Sequence, residues 1–236
     1  MTKAPPIGLM ASVPLESALI RKEIRNARSI TPSLLTGRLG GNRVAYITSG
    51  IGIANAAHAA TLLIEGVSPR LVVLFGIGGA YPGSALKTGD VALAEKEVYA
   101  DTGVLTREGL RGLDYMGIPL LRRGNRRFYN DFPIDRKTAA LALRLSGGKV
   151  RPGVFLTVSQ CTGTLKRARA LRRKYNALCE NMEGASVAQV CARYGVPLLE
   201  LRGISNMVED RNTDAWEKEL AATNCQKVVM EILRGL

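Results

Sequence analysis

Three polar residues stand where an apolar run gives way to a helix or a loop: Glu16, Glu183 and Asn206. Side chains of these types at such boundaries can hydrogen-bond a ligand held at the sheet's edge. A carboxylate only accepts, whereas an asparagine amide both donates and accepts. Taken alone, Glu16 is equally a partner for a helix dipole, because it falls in the first turn of a predicted helix. A glycine-rich stretch adds a second feature. Leu71 to Phe75 is an unbroken apolar run, and it ends in Gly76, Ile77, Gly78 and Gly79. Such glycines serve either a tight turn or the close approach of backbone to a ligand at the carboxyl edge of a sheet. The following YPGSALKTGD does not read as a helix, so the spacing fits a dinucleotide fingerprint poorly.

The elements that must position these residues alternate between strand and helix. Ile7 to Met10 reads as a short strand, Ala11 to Pro14 as a loop, and about Leu15 to Ala27 as a helix. Val44 to Thr48 is a second strand, leading into an alanine-rich helix, Ala54 to Glu65, that packs closely on a sheet. His58 on that helix is read as structural. The run at Leu71–Phe75 is apolar throughout and so reads as a strand buried on both faces. After a turn at Gly83 to Gly89 come a strand at Asp90 to Ala94 and a polar continuation to Thr102. Residues 103–150 are the least periodic and read as an excursion over the sheet edge, closed by a helix at about Asp135 to Leu145. Then follow a strand at Gly153–Val158, a polar run to Thr164, a basic helix, and Leu178–Met182 leading into a helix that ends at Tyr194. Leu198 to Ile204 is the last core strand, ending at Ser205 and Asn206, and a helix covers roughly Asp214 to Leu233. The alternation defines an α/β class, expected as one domain over 1–236.

Composition narrows the function. The 236 residues are 46% hydrophobic, enough for one large α/β core. Four cysteines at 161, 179, 191 and 225 form no CxxC pair, and with a single histidine there is no zinc cluster to expect. Lys3 and a short apolar run broken by Pro5 and Pro6 do not make a signal-peptide core, and no stretch is long enough to span a bilayer. The expectation is a cytoplasmic protein with reduced thiols and no membrane partner. The net charge of +13 is concentrated at Arg122–Arg127 and along Lys166–Lys174. Leu165, Ala168, Leu171 and Tyr175 share helical spacing within the second cluster, which makes it a solvated basic face. No nucleic-acid reader motif accompanies it, so no nucleic-acid partner is expected.

Four segments carry a resemblance. SGIGIANAAHAATLLIEGVSP at 49–69, FGIGGAYPGSALKTGDVALAE at 75–95, ENMEGASVAQVC at 180–191 and LRGISNMVEDR at 201–211 resemble the nucleoside phosphorylase and nucleosidase superfamily. Within it they are most similar to the futalosine hydrolase family. The resemblance implies a three-layer α/β/α fold with a central mixed, largely parallel sheet, cleavage of an N-ribosidic bond, no cofactor or metal, and a homo-oligomer. Its partners would be a small nucleoside and water. Met182 and Glu183 match the pair that holds the ribosyl group, and Glu16 matches the acid that deprotonates the attacking water. Gly76, Ile77, Gly78, Gln160, Cys161 and Ser205 are expected to bind substrate. Two departures set the subclass. Leu74 and Ile77 stand where phosphorylases of the superfamily bind phosphate, so water is the expected nucleophile. Asn206 replaces the aspartate of adenine-specific nucleosidases, which fits a 6-oxopurine. The expected reaction is hydrolysis of futalosine to hypoxanthine and dehypoxanthinyl futalosine in a menaquinone pathway. The alternatives are methylthioadenosine/adenosylhomocysteine nucleosidase and purine nucleoside phosphorylase.

Overall fold

The computed structural model describes residues 4–236, so Lys3 lies outside it. The first half of the chain builds β1 (Ile7–Ala11), α1 (Ala18–Glu23), β2 (Arg25–Ser29), β3 (Leu34–Leu39), β4 (Asn42–Thr48), α2 (Ile53–Val67), β5 (Leu71–Ala80) and β6 (Val91–Tyr99). An irregular stretch follows with β7 (Val104–Thr106), β8 (Gly109–Arg111), β9 (Leu121–Arg123), β10 (Arg126–Phe128), β11 (Asp131–Pro133) and α3 (Arg136–Leu145). The remainder is β12 (Val150–Thr157), α4 (Leu165–Tyr175), β13 (Ala177–Asn181), α5 (Gly184–Tyr194), β14 (Leu198–Met207) and α6 (Lys218–Arg234).

The main sheet is mixed. β1 lies between β4 and β5, parallel to both, and β3 and β2 extend that edge as antiparallel strands. On its other side β5 pairs in parallel with β14, and β14 pairs antiparallel with β6. β6 runs parallel to β12, and β12 to β13. β13 then returns to β5 through Cys179↔Ala80 and Glu180↔Gly79. The strands β5, β14, β6, β12 and β13 therefore close a ring, and the ring encloses charged side chains. Helices cover both faces. Ala56, Ala59, Ala60 and Leu63 of α2 pack with Val187, Ala188 and Cys191 of α5 against Met10, Leu74 and Ile204. Ile20 of α1, Ala142 of α3 and Val228, Val229 and Ile232 of α6 pack against Ile7, Leu9, Phe75 and Leu201. The α2 alanines fulfil the close packing expected of them, with α5 supplying the second helix of the layer. No helix among the described residues is long and apolar enough to cross a membrane.

Several expected elements shift, each for a local reason. The helix expected to reach Ala27 stops at Glu23, and Arg25–Ser29 becomes an exposed edge strand on β3. Its RNARS sequence carries no apolar alternation that would have marked it; charge on an exposed edge instead discourages further pairing. β5 continues through Gly76–Gly79 to Ala80, so the glycines are neither a turn nor a loop but part of a strand crowded on both sides by β13 and β14. β6 likewise runs on through Glu95–Tyr99, and β14 runs through Ser205 and Asn206 to Met207. The excursion contains the hairpins β7–β8 and β9–β10 before β11 and the expected α3, which Asp135 caps by accepting from Thr138 N. α4 buries only Ala168, in keeping with a solvated basic face.

Candidate active site

The ring of strands holds a buried arginine. Arg202 on β14 is 1% exposed; its Nε donates to Glu200 Oε1 at 3.0 Å, and one terminal nitrogen donates to Glu183 Oε2 at 3.2 Å. The other terminal nitrogen donates to Asn181 Oδ1 at 3.2 Å. Strand periodicity puts Glu200 and Arg202 on the same face, so each meets the other without a bend in the chain. Burial works against the guanidinium charge, but Glu200, Glu183, Glu16 and Glu97 outweigh it and hold the pKa above the ordinary arginine value. Glu97 is also fully buried, accepting from Thr157 Oγ1 and Asn181 Nδ2. Burial first, and the charge of Glu200 second, keep its pKa well above that of a free glutamate.

This network sets the position of Glu183. Asn181 Oδ1 accepts from the backbone N–H groups of Glu183 and Gly184 at 2.9 and 2.7 Å, which caps the start of α5. Glu183 Oε1 accepts from Gly52 N at 3.0 Å, ahead of α2. Gly184 is required here, because a Cβ would come within 2.0 Å of Glu97 Oε1.

Glu16 is not in an α-helix. It sits in the 3-10 turn Pro14–Ser17, and its carboxylate folds back to accept from Ser12 N at 2.9 Å and Val13 N at 3.2 Å. Its other oxygen accepts from Ile77 N at 2.8 Å. Gly76 makes this crossing possible, since a Cβ there would lie 2.5 Å from Glu16 Oε1. Burial raises the Glu16 pKa above 4.5, against the opposing pull of Arg202 and the Ile77 N–H.

Glu16 and Glu183 open into one cavity of about 210 Å³, lined on its apolar side by Val13, Ile51, Ile77, Val158, Met182 and Trp216. Ser205 and Asn206 line it from β14. Asn206 Oδ1 accepts from Ser205 Oγ at 2.8 Å and Nδ2 donates to Met207 O at 3.0 Å. One amide hydrogen and one lone pair of Asn206 remain for a ligand. Gly78 and Cys161 are also on the wall, with Cys161 Sγ 3.5 Å from Met182 Sδ.

The structure thus brings together Glu16, Ile77, Gly78, Cys161, Met182, Glu183, Ser205 and Asn206. It leaves two expected residues off the wall: Gly76 is buried behind Glu16, and Gln160 is exposed outside the cavity. Leu74 is fully buried in the apolar core and lies outside the lining as well. Exposed His58 and the cavity are likewise separate, and no group of three or more potential metal ligands occurs among the described residues. Arg202 and Glu180 were missed. An arginine inside the apolar run LLELRGIS, two residues after a glutamate, is the signal that would have found the first.

A closed ring of strands thus places a buried arginine behind two carboxylates, and the carboxylates reach a largely apolar cavity edged by an amide. Residues 6–234 match the Phosphorylase superfamily, and the chain belongs to that family. The protein is an N-glycosyl hydrolase of this fold. A futalosine hydrolase from Thermus thermophilus is 37% identical over 195 residues, covering 83% of each chain. A 5'-methylthioadenosine/S-adenosylhomocysteine nucleosidase from Geobacillus thermodenitrificans is 28% identical over 237 residues, covering 98% of this chain and 96% of its own. Among solved structures, the corresponding nucleosidase from Neisseria meningitidis, in complex with methylthio-immucillin-A, superposes with a TM-score of 0.85. It is 22% identical and covers 99% of this chain and 100% of its own.

Proposed function

We propose that the protein hydrolyses the N-ribosidic bond of a 6-oxopurine nucleoside of the futalosine type, releasing hypoxanthine and dehypoxanthinyl futalosine. The observation that carries this reading is Asn206 at the cavity wall, an amide with one free hydrogen and one free lone pair. Its free hydrogen can be donated to O6 or to N7 of a 6-oxopurine, with no titrating side-chain proton. The 37% identity to a futalosine hydrolase supports the same reading.

In this mechanism Glu16 takes a proton from water while the water oxygen bonds C1′ of the sugar. The C1′–N9 electron pair leaves with the base, which Asn206 stabilises by hydrogen bonding and which is protonated from solvent. Glu183 accepts from the ribosyl hydroxyls, and its charge favours the cationic sugar of the transition state. Met182 packs on the sugar face. Arg202 does not enter the cavity; it holds Glu183 in place.

Water is favoured over phosphate by what surrounds Ile77. Its side chain offers no donor, and its backbone N–H is already taken by Glu16 Oε1. An anion there would also face two carboxylates. Because Leu74 is enclosed in the core, this part of the reasoning rests on Ile77. Cleavage is therefore expected to run equally well in phosphate-free buffer and to yield a free reducing sugar. A sugar 1-phosphate product formed only when phosphate is present would overturn the hydrolytic reading.

A second reading, methylthioadenosine/adenosylhomocysteine nucleosidase, is favoured by the near full-length match to the Geobacillus enzyme. Product analysis with futalosine, inosine, adenosine and methylthioadenosine separates the two.

A further inference from the structure

Glu97 and Glu200 take no part in the mechanism above, yet both are fully buried behind the cavity, in the cluster around Arg202. Glu97, on β6, makes no ion pair among the described residues, and Glu200, on β14, meets Arg202 through Oε1 alone. Glu200 Oε2 is buried and has no donor. A buried acceptor left empty asks for an explanation. Its neighbour supplies one. A Cβ on Gly184 would lie 2.0 Å from Glu97 Oε1 and 2.6 Å from Glu200 Oε1, so the two carboxyl groups converge beneath that glycine. The two side chains are in hydrogen-bond contact, which two carboxylate ions cannot make. The charges around them leave the same gap. Arg202 faces four carboxyl groups, Glu200, Glu183, Glu16 and Glu97. Of the other groups against Glu97, Tyr99 of β6 and Cys179 of β13 have raised pKa values and stay neutral. Thr157 of β12 and Asn181 of β13 are uncharged donors, and Phe132 of β11 lies across from it. Four anions about one guanidinium, out of water, would be costly.

We propose that Glu97 is a neutral carboxylic acid that donates its proton to Glu200, and that this shared proton reserves the charge of Arg202 for Glu183 and Glu16. Glu97 is thus a positioning residue, acting through Glu200 and Arg202. The proton gives Glu200 the donor it lacks and removes one of four negative charges. Thr157 and Asn181 still donate to Glu97, because a protonated carboxyl keeps acceptor capacity. Burial and the charge of Glu200 push Glu97 in the same direction. The consequence falls on the cavity, and it rests on the roles given above to Glu16 and Glu183. Each has to be an anion, one to take a proton from water and the other to favour a cationic sugar. Arg202 pulls the pKa of Glu16 down, and it donates directly to Glu183. An ionised Glu97 would compete for that guanidinium and make both carboxylates harder to keep charged.

The test is an infrared spectrum of the whole protein, taken above the acid limb of kcat, where Glu16 is ionised. The expected result is the carbonyl stretch of a protonated carboxyl group in the wild type, moved by carbon-13 glutamate and lost in Glu97→Gln. The acid limb gives a second readout. Glutamine exchanges a neutral acid for a neutral amide, so the limb should stay at the same pH in Glu97→Gln. It should fall to lower pH in the double variant Glu97→Gln with Glu200→Gln, where the pair's remaining charge is gone and Arg202 bears wholly on Glu183 and Glu16. A wild type with no protonated-glutamate band, a band that persists in Glu97→Gln, or a limb already lowered in Glu97→Gln would overturn the shared proton. The wild-type spectrum decides the matter even where a variant fails to fold. Because that spectrum needs no substrate, a kcat profile without an acid limb would tell against Glu16 as the base and leave the proton in place.

Discussion

At the scale of single residues, the proposed choice of base rests on Asn206, which lines the cavity. Asn206→Asp replaces an amide by a group able to protonate N7, so activity on futalosine should fall and activity on a 6-amino nucleoside should rise. The ratio of the two kcat/KM values is expected to move by about tenfold or more. An unchanged ratio would remove Asn206 from base recognition. Glu16 makes a separate prediction through pH. It must be ionised to take a proton from water, and burial raises its pKa above 4.5. The acid limb of the kcat profile should therefore lie above that of a free glutamate, with activity lost as pH falls through the raised value. Glu16→Gln should lower kcat steeply, abolish this limb, and leave substrate binding by calorimetry nearly intact. These two residues and Glu183 were legible in the sequence because each combines a polar type with a strand or helix boundary. Arg202 was not read, although Glu200 two residues before it on β14 is a local signal. Its pairing with Asn181 of β13 and with Glu183 at the start of α5 is long-range and leaves no local period.

At the scale of elements, strands with apolar runs and helices with caps were readable in place. Strands made of charged or glycine residues were not. β2 is RNARS and wholly exposed, and the second half of β5 is GIGGA. Their strand character comes from neighbours, and pairing overrides propensity. The glycines that these contacts demand are not equivalent, and two of them predict different losses. In Gly76→Ala the new Cβ meets the free end of the Glu16 side chain, which can swing aside. Folding should survive while turnover falls about tenfold or more, because the base is displaced. In Gly203→Ala the new Cβ would lie 2.1 Å from Ala221 O, a backbone atom of α6 that cannot give way so cheaply. That variant should lose about 1–3 kcal/mol of stability. Thermal melts beside steady-state kinetics distinguish them, and equal loss of Tm in both would contradict this division.

At the scale of the whole molecule, exposed apolar side chains are unevenly distributed. Ile51 and Leu62 lie exposed at the start and middle of the α2 region, and Leu105, Tyr115, Met116 and Ile118 are exposed in the excursion after β6. Leu105 is 82% exposed, and a group of exposed apolar side chains, unlike a single one, can mark an interaction surface. The homo-oligomer implied by the resemblance would cover these residues. Sedimentation equilibrium at micromolar protein is expected to give a dimer or larger species, and Leu105→Glu with Ile118→Glu to shift it toward monomer. A wild type that is fully active and monomeric would contradict the homo-oligomer that the resemblance implies.

The placing of β14 governs how the molecule comes into being during translation. This strand, Leu198–Met207, inserts between β5 and β6, elements made more than a hundred residues earlier. Until it leaves the ribosome, β5 has an open edge and the ring has a gap. Glu183 also has no cation beside it, because Arg202 travels on the late strand. A nascent chain that folds its β1–α2–β5 portion early holds an unpaired apolar edge until β14 is made, the kind of surface that chaperones bind. The cavity is complete only once β14 has been made.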